Sequence, residues 1–236
     1  MIYIIVLLAA ILPAAFYIFY IAAFDHHKPE PIGALILSAV LGGLAALAIY
    51  WIGLPDNLGI MQIEQAHNLE DSFLTGFCKL ALPAEITKWM LLFIFLSLNK
   101  YYDEHIDGVV YSVCLAMGYA GVWGGLLIYN SAYLPLDALI EKGVLIALVF
   151  VFLHFTIGTM MGYFFAIASR NKIRNYAIAL LLPIFIDGLL CSIVLMIGNN
   201  WAYYFFIGIA LAILAAITYT QIFRLLKMDG IIMDKS

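Results

Sequence analysis

Four ionisable residues stand inside long apolar runs, and their types are those that move protons or hold metals. Glu85 and Lys88 lie in "LALPAEITKWMLLF", His154 in "HFTIGTMMGY" and Asp187 in "IFIDGLL". A carboxylate can take a proton from water, and a lysine three residues on shares its helix face and can pair with it. A histidine with an aspartate can orient water or ligate a divalent cation. A lone Asp or Lys at the bilayer centre costs roughly 2.5–3.5 kcal/mol on insertion scales, so each must face the interior of a bundle and find a partner there. The bland alternatives are a structural ion pair for Glu85 and Lys88 and a satisfied core histidine for His154. Depth weighs against them. At ~1.5 Å of rise per residue, Glu85 lies roughly 21 and 22 Å of helix from Asp71 and Lys100. His154 and Asp187 reach a similar depth from the polar residues flanking their own runs. Three runs therefore aim polar groups at one level.

The elements that carry these residues follow from composition. The chain has 236 residues, 66% hydrophobic and 11% charged, with a mean hydropathy of +1.05. That excludes a water-soluble globular domain and makes the lipid bilayer the first partner. Eleven basic against 15 acidic residues give a formal charge of -4. The basic ones are scattered, so a nucleic-acid partner is not expected. A span needs roughly 20 mostly apolar residues, and about seven such runs occur, near 2–24, 33–54, 73–98, 107–130, 143–168, 175–197 and 201–225. Between them lie "DHHKPEP", "DNLGIMQIEQAHNLED", "NKYYDEHID", "SAYLPLDALIEK", "SRNKIRN" and "GNN". The expected fold is all-α, one polytopic helix bundle over residues 1–236. The first run lacks the basic segment of a cleavable signal and is read as a helix.

Basic residues orient the bundle. One set of alternate loops holds Lys28, Lys100, Arg170, Lys172, Arg174, Arg224, Lys227 and Lys235, and the other holds Lys142 and Lys79. The positive-inside rule puts the first set in the cytoplasm, so the N-terminus is expected outside and the C-terminus inside, in the cell (inner) membrane. Reporters after Lys172 and at the C-terminus should then read cytoplasm, and one near Glu64 should read outside.

The remaining features read mainly as architecture. Pro83 and Pro183 sit just before Glu85 and Asp187 and are expected to kink their helices. Gly121/Gly125 and Gly158/Gly162 have the spacing of closely packed helices. Tyr101, Tyr102, Trp201, Tyr203 and Tyr204 read as interfacial belt residues. Cys78, Cys114 and Cys191 read as small hydrophobes. His26 and His27 are adjacent in a loop and more simply solvate it than bind a metal.

Five blocks, in order, resemble a known family: "DHHKPEP", "AEITKW", "HIDGVVYSVCLAMGYAGVWGGLLIY", "HFTIGTMMGYFFA" and "IFIDGLL". They are similar to the PrsW intramembrane proteases, related to the CAAX-protease and bacteriocin-processing superfamily, and run from about Asp25 to Gly188. The resemblance implies proteolysis of membrane-protein substrates near the midplane, at a metal site or a glutamate-activated water. It assigns Glu85, Lys88, His154 and Asp187 as catalytic, with Glu85, His154 and Asp187 as ligands for a divalent metal such as zinc. The chain departs from the family pattern at Ala84, where a first glutamate precedes the retained one. It departs again at Trp123, where the fourth helix carries another glutamate, and at Pro183, where the sixth-helix His/Asp motif keeps Asp187 alone. A peptidase is therefore the leading reading, with little or no turnover expected until Ala84→Glu and Trp123→Glu restore the carboxylates. The runner-up is a non-catalytic scaffold that binds a membrane-protein client. A transporter using Glu85 and Asp187 is a third reading, disfavoured because no internal repeat is visible.

Overall fold

The computed structural model describes residues 1–25, 28–52, 69–171, 173–197 and 201–230, with the side chains of 169–175 and 197–206 set aside. His26, His27, Glu64, Lys172 and Lys235 lie outside these residues, as do the side chains of Arg170, Arg174, Trp201, Tyr203 and Tyr204. Among the described residues, seven helices are long and apolar enough to cross a membrane: α1 (Ile2–Ala22), α2 (Ile32–Trp51), α3 (Leu69–Leu98), α4 (His105–Tyr129), α5 (Leu136–Ala168), α6 (Tyr176–Met196) and α7 (Ile207–Met228). No strand occurs among the described residues. The chain is an all-α integral membrane protein.

Two helices start at least a turn earlier than in the sequence reading. α3 begins at Leu69, where Glu70 and Asp71 occupy the first turn and their charges suit the positive end of the helix dipole. α5 begins at Leu136, directly after Pro135, so "LDALIEK" is its first two turns and not a loop. That segment pairs apolar residues with charged ones and coils as readily as it solvates, which makes it look like a separator.

α4 is the hub. Of its most apolar 18-residue window, 83% is buried, against 17–61% for the other six. Small residues allow this. A Cβ on Gly118 would strike the backbone of Ala39 on α2, and one on Gly42 would strike the Leu115 carbonyl. Across the opposite face, Gly158 and Gly162 of α5 lie against Ala116 and the Gly108–Val109 backbone. Gly121 and Gly125 face α1. The glycine spacings are packing devices, as small-residue crossings in lipid generally are. Side chains reinforce the crossings: Ser38 Oγ donates to the Tyr111 carbonyl at 2.8 Å, and Ser112 Oγ to the Gly158 carbonyl at 2.7 Å. The outward faces carry large apolar side chains, among them Phe19, Ile36 and Leu148, which lipid solvates without penalty.

Among the described residues, three helices contain a π-helical stretch: Leu7–Ile11 in α1, Thr75–Ala81 in α3 and Ile146–Phe150 in α5. Pro13 and Pro83 follow the first two. A proline has no N–H to donate and its ring crowds the preceding turn, and a widened turn absorbs both faults. Pro183, in contrast, lies within a continuous helix, Ile173–Ile197.

The rims are fixed by polar contacts. Tyr3 packs on Tyr129, placing the N-terminus beside the end of α4. At the other rim, Asp229 accepts from the backbone N–H of His105 at 3.1 Å and of Ile106 at 3.0 Å, and its carboxylate lies 2.5 Å from His105 Nδ1. A side chain after α7 thus satisfies orphan donors at the start of α4.

Candidate active site

Glu85 and Lys88 sit one turn apart on α3, and Lys88 Nζ lies 2.6 Å from Glu85 Oε1. Both are sealed, at 0% and 1% exposure. His154 on α5 and Asp187 on α6 are buried as deeply, at 2% and 3%. Glu85, His154 and Asp187 each offer a donor atom within 4.8 Å of the other two. Three helices therefore bring the expected residues to one place. The same ammonium interacts electrostatically with Asp187 and His154. The level is set by Tyr119 of α4, whose ring lies 5.0 Å from Lys88 Nζ and 5.4 Å, edge-on, from the imidazole. Tyr119 is roughly 21 Å of helix from the start of α4 and roughly 15 Å from its end, in the middle part of that helix.

The π-helical stretches bear on this site. The one in α3 ends at Ala81, one turn before Glu85, and the one in α5 ends at Phe150, one turn before His154. Each adds a residue to one turn and so resets which face the following residues present, a recurrent device at functional positions. No proline accounts for the second. Phe150 packs edge-on against His154 at 4.4 Å, so two aromatic edges fix the plane of the ring.

Several donor and acceptor atoms are left over. Among the described residues, neither ring nitrogen of His154 has a hydrogen-bond partner, nor does Glu85 Oε2. Leaving a buried polar atom unsatisfied costs about 1–3 kcal/mol, so an imidazole with both nitrogens unsatisfied beside two carboxylates is suited to holding something. One nitrogen and two carboxylates are a three-ligand set of the kind that leaves a metal an open position for water. The residues present fit a divalent metal.

Sequence reasoning missed Cys191. Its Sγ donates to Asp187 Oδ1 at 3.5 Å from one turn further along α6, so it belongs to the cluster's surroundings and is more than a small hydrophobe. The i, i+4 spacing from Asp187 is the signal that would have found it. Two of the departures from the family pattern are neighbours in the fold. Ala84 and Trp123 are both buried in one apolar cluster with Ala45, Ala46, Ile49 and Tyr119. Trp123 stacks on Tyr119 with ring centroids 5.8 Å apart. Beside the charged cluster, then, stands apolar surface at both positions.

Comparison with known proteins places the chain in a family. The family described as PrsW family intramembrane metalloprotease matches residues 30–226. Protease PrsW of Oceanobacillus iheyensis is 31% identical over 187 residues, covering 78% of this chain and 80% of the relative. The proteins of the same name from Clostridioides difficile and Bacillus subtilis are 28% and 25% identical over 200 residues, each covering 83% of this chain and 81% and 85% of the relative. No solved structure matches. With most of its length matched and its buried polar cluster drawn from the expected helices, the chain belongs to the PrsW family of intramembrane metalloproteases.

Proposed function

We propose that the chain is a slow intramembrane peptidase that cleaves membrane-protein substrates near the bilayer midplane, with Glu85, Lys88, His154 and Asp187 as its working groups. The observation that carries this reading is the orphaned imidazole of His154, sealed within 4.8 Å of two carboxylates from other helices. A structural ion pair needs Glu85 and Lys88 alone and gives no reason for an unpaired histidine beside them.

Each group has a task. Lys88 holds Glu85 Oε1, which fixes the carboxylate and leaves Oε2 to take a proton from water and return it to the leaving nitrogen. The Lys88 ammonium is also placed to stabilise negative charge on the carbonyl oxygen. Tyr119 and Phe150 hold the imidazole plane. The residues that would hold a divalent metal such as zinc are His154 and Asp187, with Glu85 Oε2 as the third ligand while it carries no proton. When bound, the metal supplies an acidified water and polarises the scissile carbonyl. Ala84 and Trp123 contribute no proton-transfer group, and losing one positioned acid or base typically costs 10²–10⁴-fold, which makes turnover slow. The whole chain, 1–236, works as one transmembrane domain in the cell membrane, with the Asp229 rim facing the cytoplasm.

The test is cleavage of a single-span substrate reconstituted in the same vesicles. Slow cleavage that ends with Glu85→Gln, with His154→Ala and with a chelator supports the assignment. Cleavage that survives all three removes these residues from the chemistry. A second reading rests on the Ala84–Trp123 wall, which closes the site with apolar surface suited to gripping a helix. On that reading the chain binds a membrane-protein client without cutting it, and the substrate copurifies intact.

A further inference from the structure

A second group of acids lies at the rim that holds Asp229, far from the first. Asp25 and Glu30 come from the loop between α1 and α2, and Asp107 from the first turn of α4. Their carboxylates each place an oxygen within 4.8 Å of the others. Asp25 and Asp107 are 1% exposed and Glu30 is 9% exposed.

Ordinary roles account for half of these oxygens. Asp25 Oδ2 accepts the Glu30 backbone N–H at 3.0 Å and closes the loop. Asp107 Oδ2 accepts from Asp103 and Glu104 backbone N–H groups at 3.0 and 2.7 Å, as the far half of a capping box. Glu30 Oε2 accepts from the Tyr111 hydroxyl. Two more are unaccounted for: Oδ1 of Asp25 and Oδ1 of Asp107 are buried with no hydrogen-bond partner among the described residues. Helix capping needs neither. Lys28, in the same loop, is turned outward to Asp103 at 3.2 Å and Glu104 at 3.7 Å, with its side chain 59% exposed, and does not neutralise the group.

We infer that Asp25, Glu30 and Asp107 form a binding site for a hard divalent cation, Ca²⁺ or Mg²⁺. The donors are carboxylate oxygens only, the set that suits those ions and is poor for zinc. Three like charges at this separation repel strongly unless something neutralises them. Protons are the competing answer, because burial pushes the Asp25 and Glu30 carboxyls up to about 7 each. A cation instead engages both orphaned oxygens at once and ties the α1–α2 loop to the start of α4. That joins residues about 80 positions apart.

The experiment uses the full chain in detergent, stripped with a chelator and buffered above neutral pH. Ca²⁺, Mg²⁺ and, separately, Zn²⁺ are titrated while the unfolding temperature is followed. Tb³⁺ luminescence, sensitised by nearby tyrosines such as Tyr111, serves as a direct probe. The site predicts a saturable stabilisation by Ca²⁺ or Mg²⁺ and a Tb³⁺ signal that the effective ion displaces. Both should weaken at least roughly tenfold in Asp25→Asn and in Glu30→Gln, since affinity at such sites follows the number of charged ligands. Both should persist in His154→Ala, whose defect lies in the other cluster. Stabilisation absent in the unmodified chain, or unchanged in both Asp25→Asn and Glu30→Gln, overturns the site and leaves shared protons as the explanation.

Discussion

Replacing Lys88 by Met tests whether the buried pair is ionic and whether Glu85 depends on it. Met nearly preserves the length and volume of the stem, so packing changes little. What is lost is the 2.6 Å contact to Glu85 Oε1 and the position 5.0 Å from the Tyr119 ring. Glu85 is then left at 0% exposure without its cation, with only the neighbouring Asp187 carboxyl beside it. Breaking a buried pair by removing one member typically costs about 3–5 kcal/mol. That is roughly two to three and a half orders of magnitude in the folded-to-unfolded ratio, at about 1.4 kcal/mol per decade. Glu85→Gln/Lys88→Met removes both charges and should recover part of the loss, giving a coupling of about 1.5 kcal/mol or more within the usual range for contacting groups. The assay is reversible unfolding in mixed micelles titrated with SDS. A Lys88→Met protein within about 0.5 kcal/mol of the unmodified chain, or a coupling near zero, would refute the ion-pair reasoning.

Other outcomes follow from the same geometry. Gly118→Leu should destabilise by at least about 1–3 kcal/mol, because its side chain would meet the Ala39 backbone. Gly208→Ala should be neutral or stabilising by up to about 1 kcal/mol, since nothing lies near its missing Cβ, and the same unfolding assay reads both. Ala84→Glu/Trp123→Glu should raise cleavage above that of the unmodified chain. Ala84→Glu alone should gain less, because it buries a carboxylate in the cluster that still holds Trp123. A gain from Ala84→Glu as large as that of the pair would contradict this. Reporters fused at Lys100 and at the C-terminus should read cytoplasm and one at Ser131 outside, with the reverse pattern refuting the orientation.

The bundle was legible because lipid leaves a chain few choices: about 20 apolar residues in a row can be solvated only as a helix. Amphipathic ends were not legible, and for this reason α5 begins at Leu136 and not near 143. Glu85, Lys88, His154 and Asp187 stood out because each is costly where hydropathy puts it. Their company did not. Tyr119, Phe150 and Cys191 are ordinary apolar or weakly polar residues whose roles come from how the helices are rotated. The π-helical stretches before Glu85 and His154 help set that rotation, and only the one before Pro83 leaves a trace in the sequence. The Asp25–Glu30–Asp107 cluster shows the same limit. "DHHKPEP" reads as a polar loop, and no local pattern says that its acids meet the first turn of α4.

The most direct test of the central claim maps where a substrate is cut. A single-span substrate is incubated with the unmodified chain and with Glu85→Gln in matched vesicles, and its fragments are sized by mass spectrometry. The account predicts slow cleavage within the middle of the substrate's membrane segment, abolished by Glu85→Gln while the variant remains folded. Cleavage that is undiminished by Glu85→Gln, or confined to the substrate's aqueous tails, would contradict it.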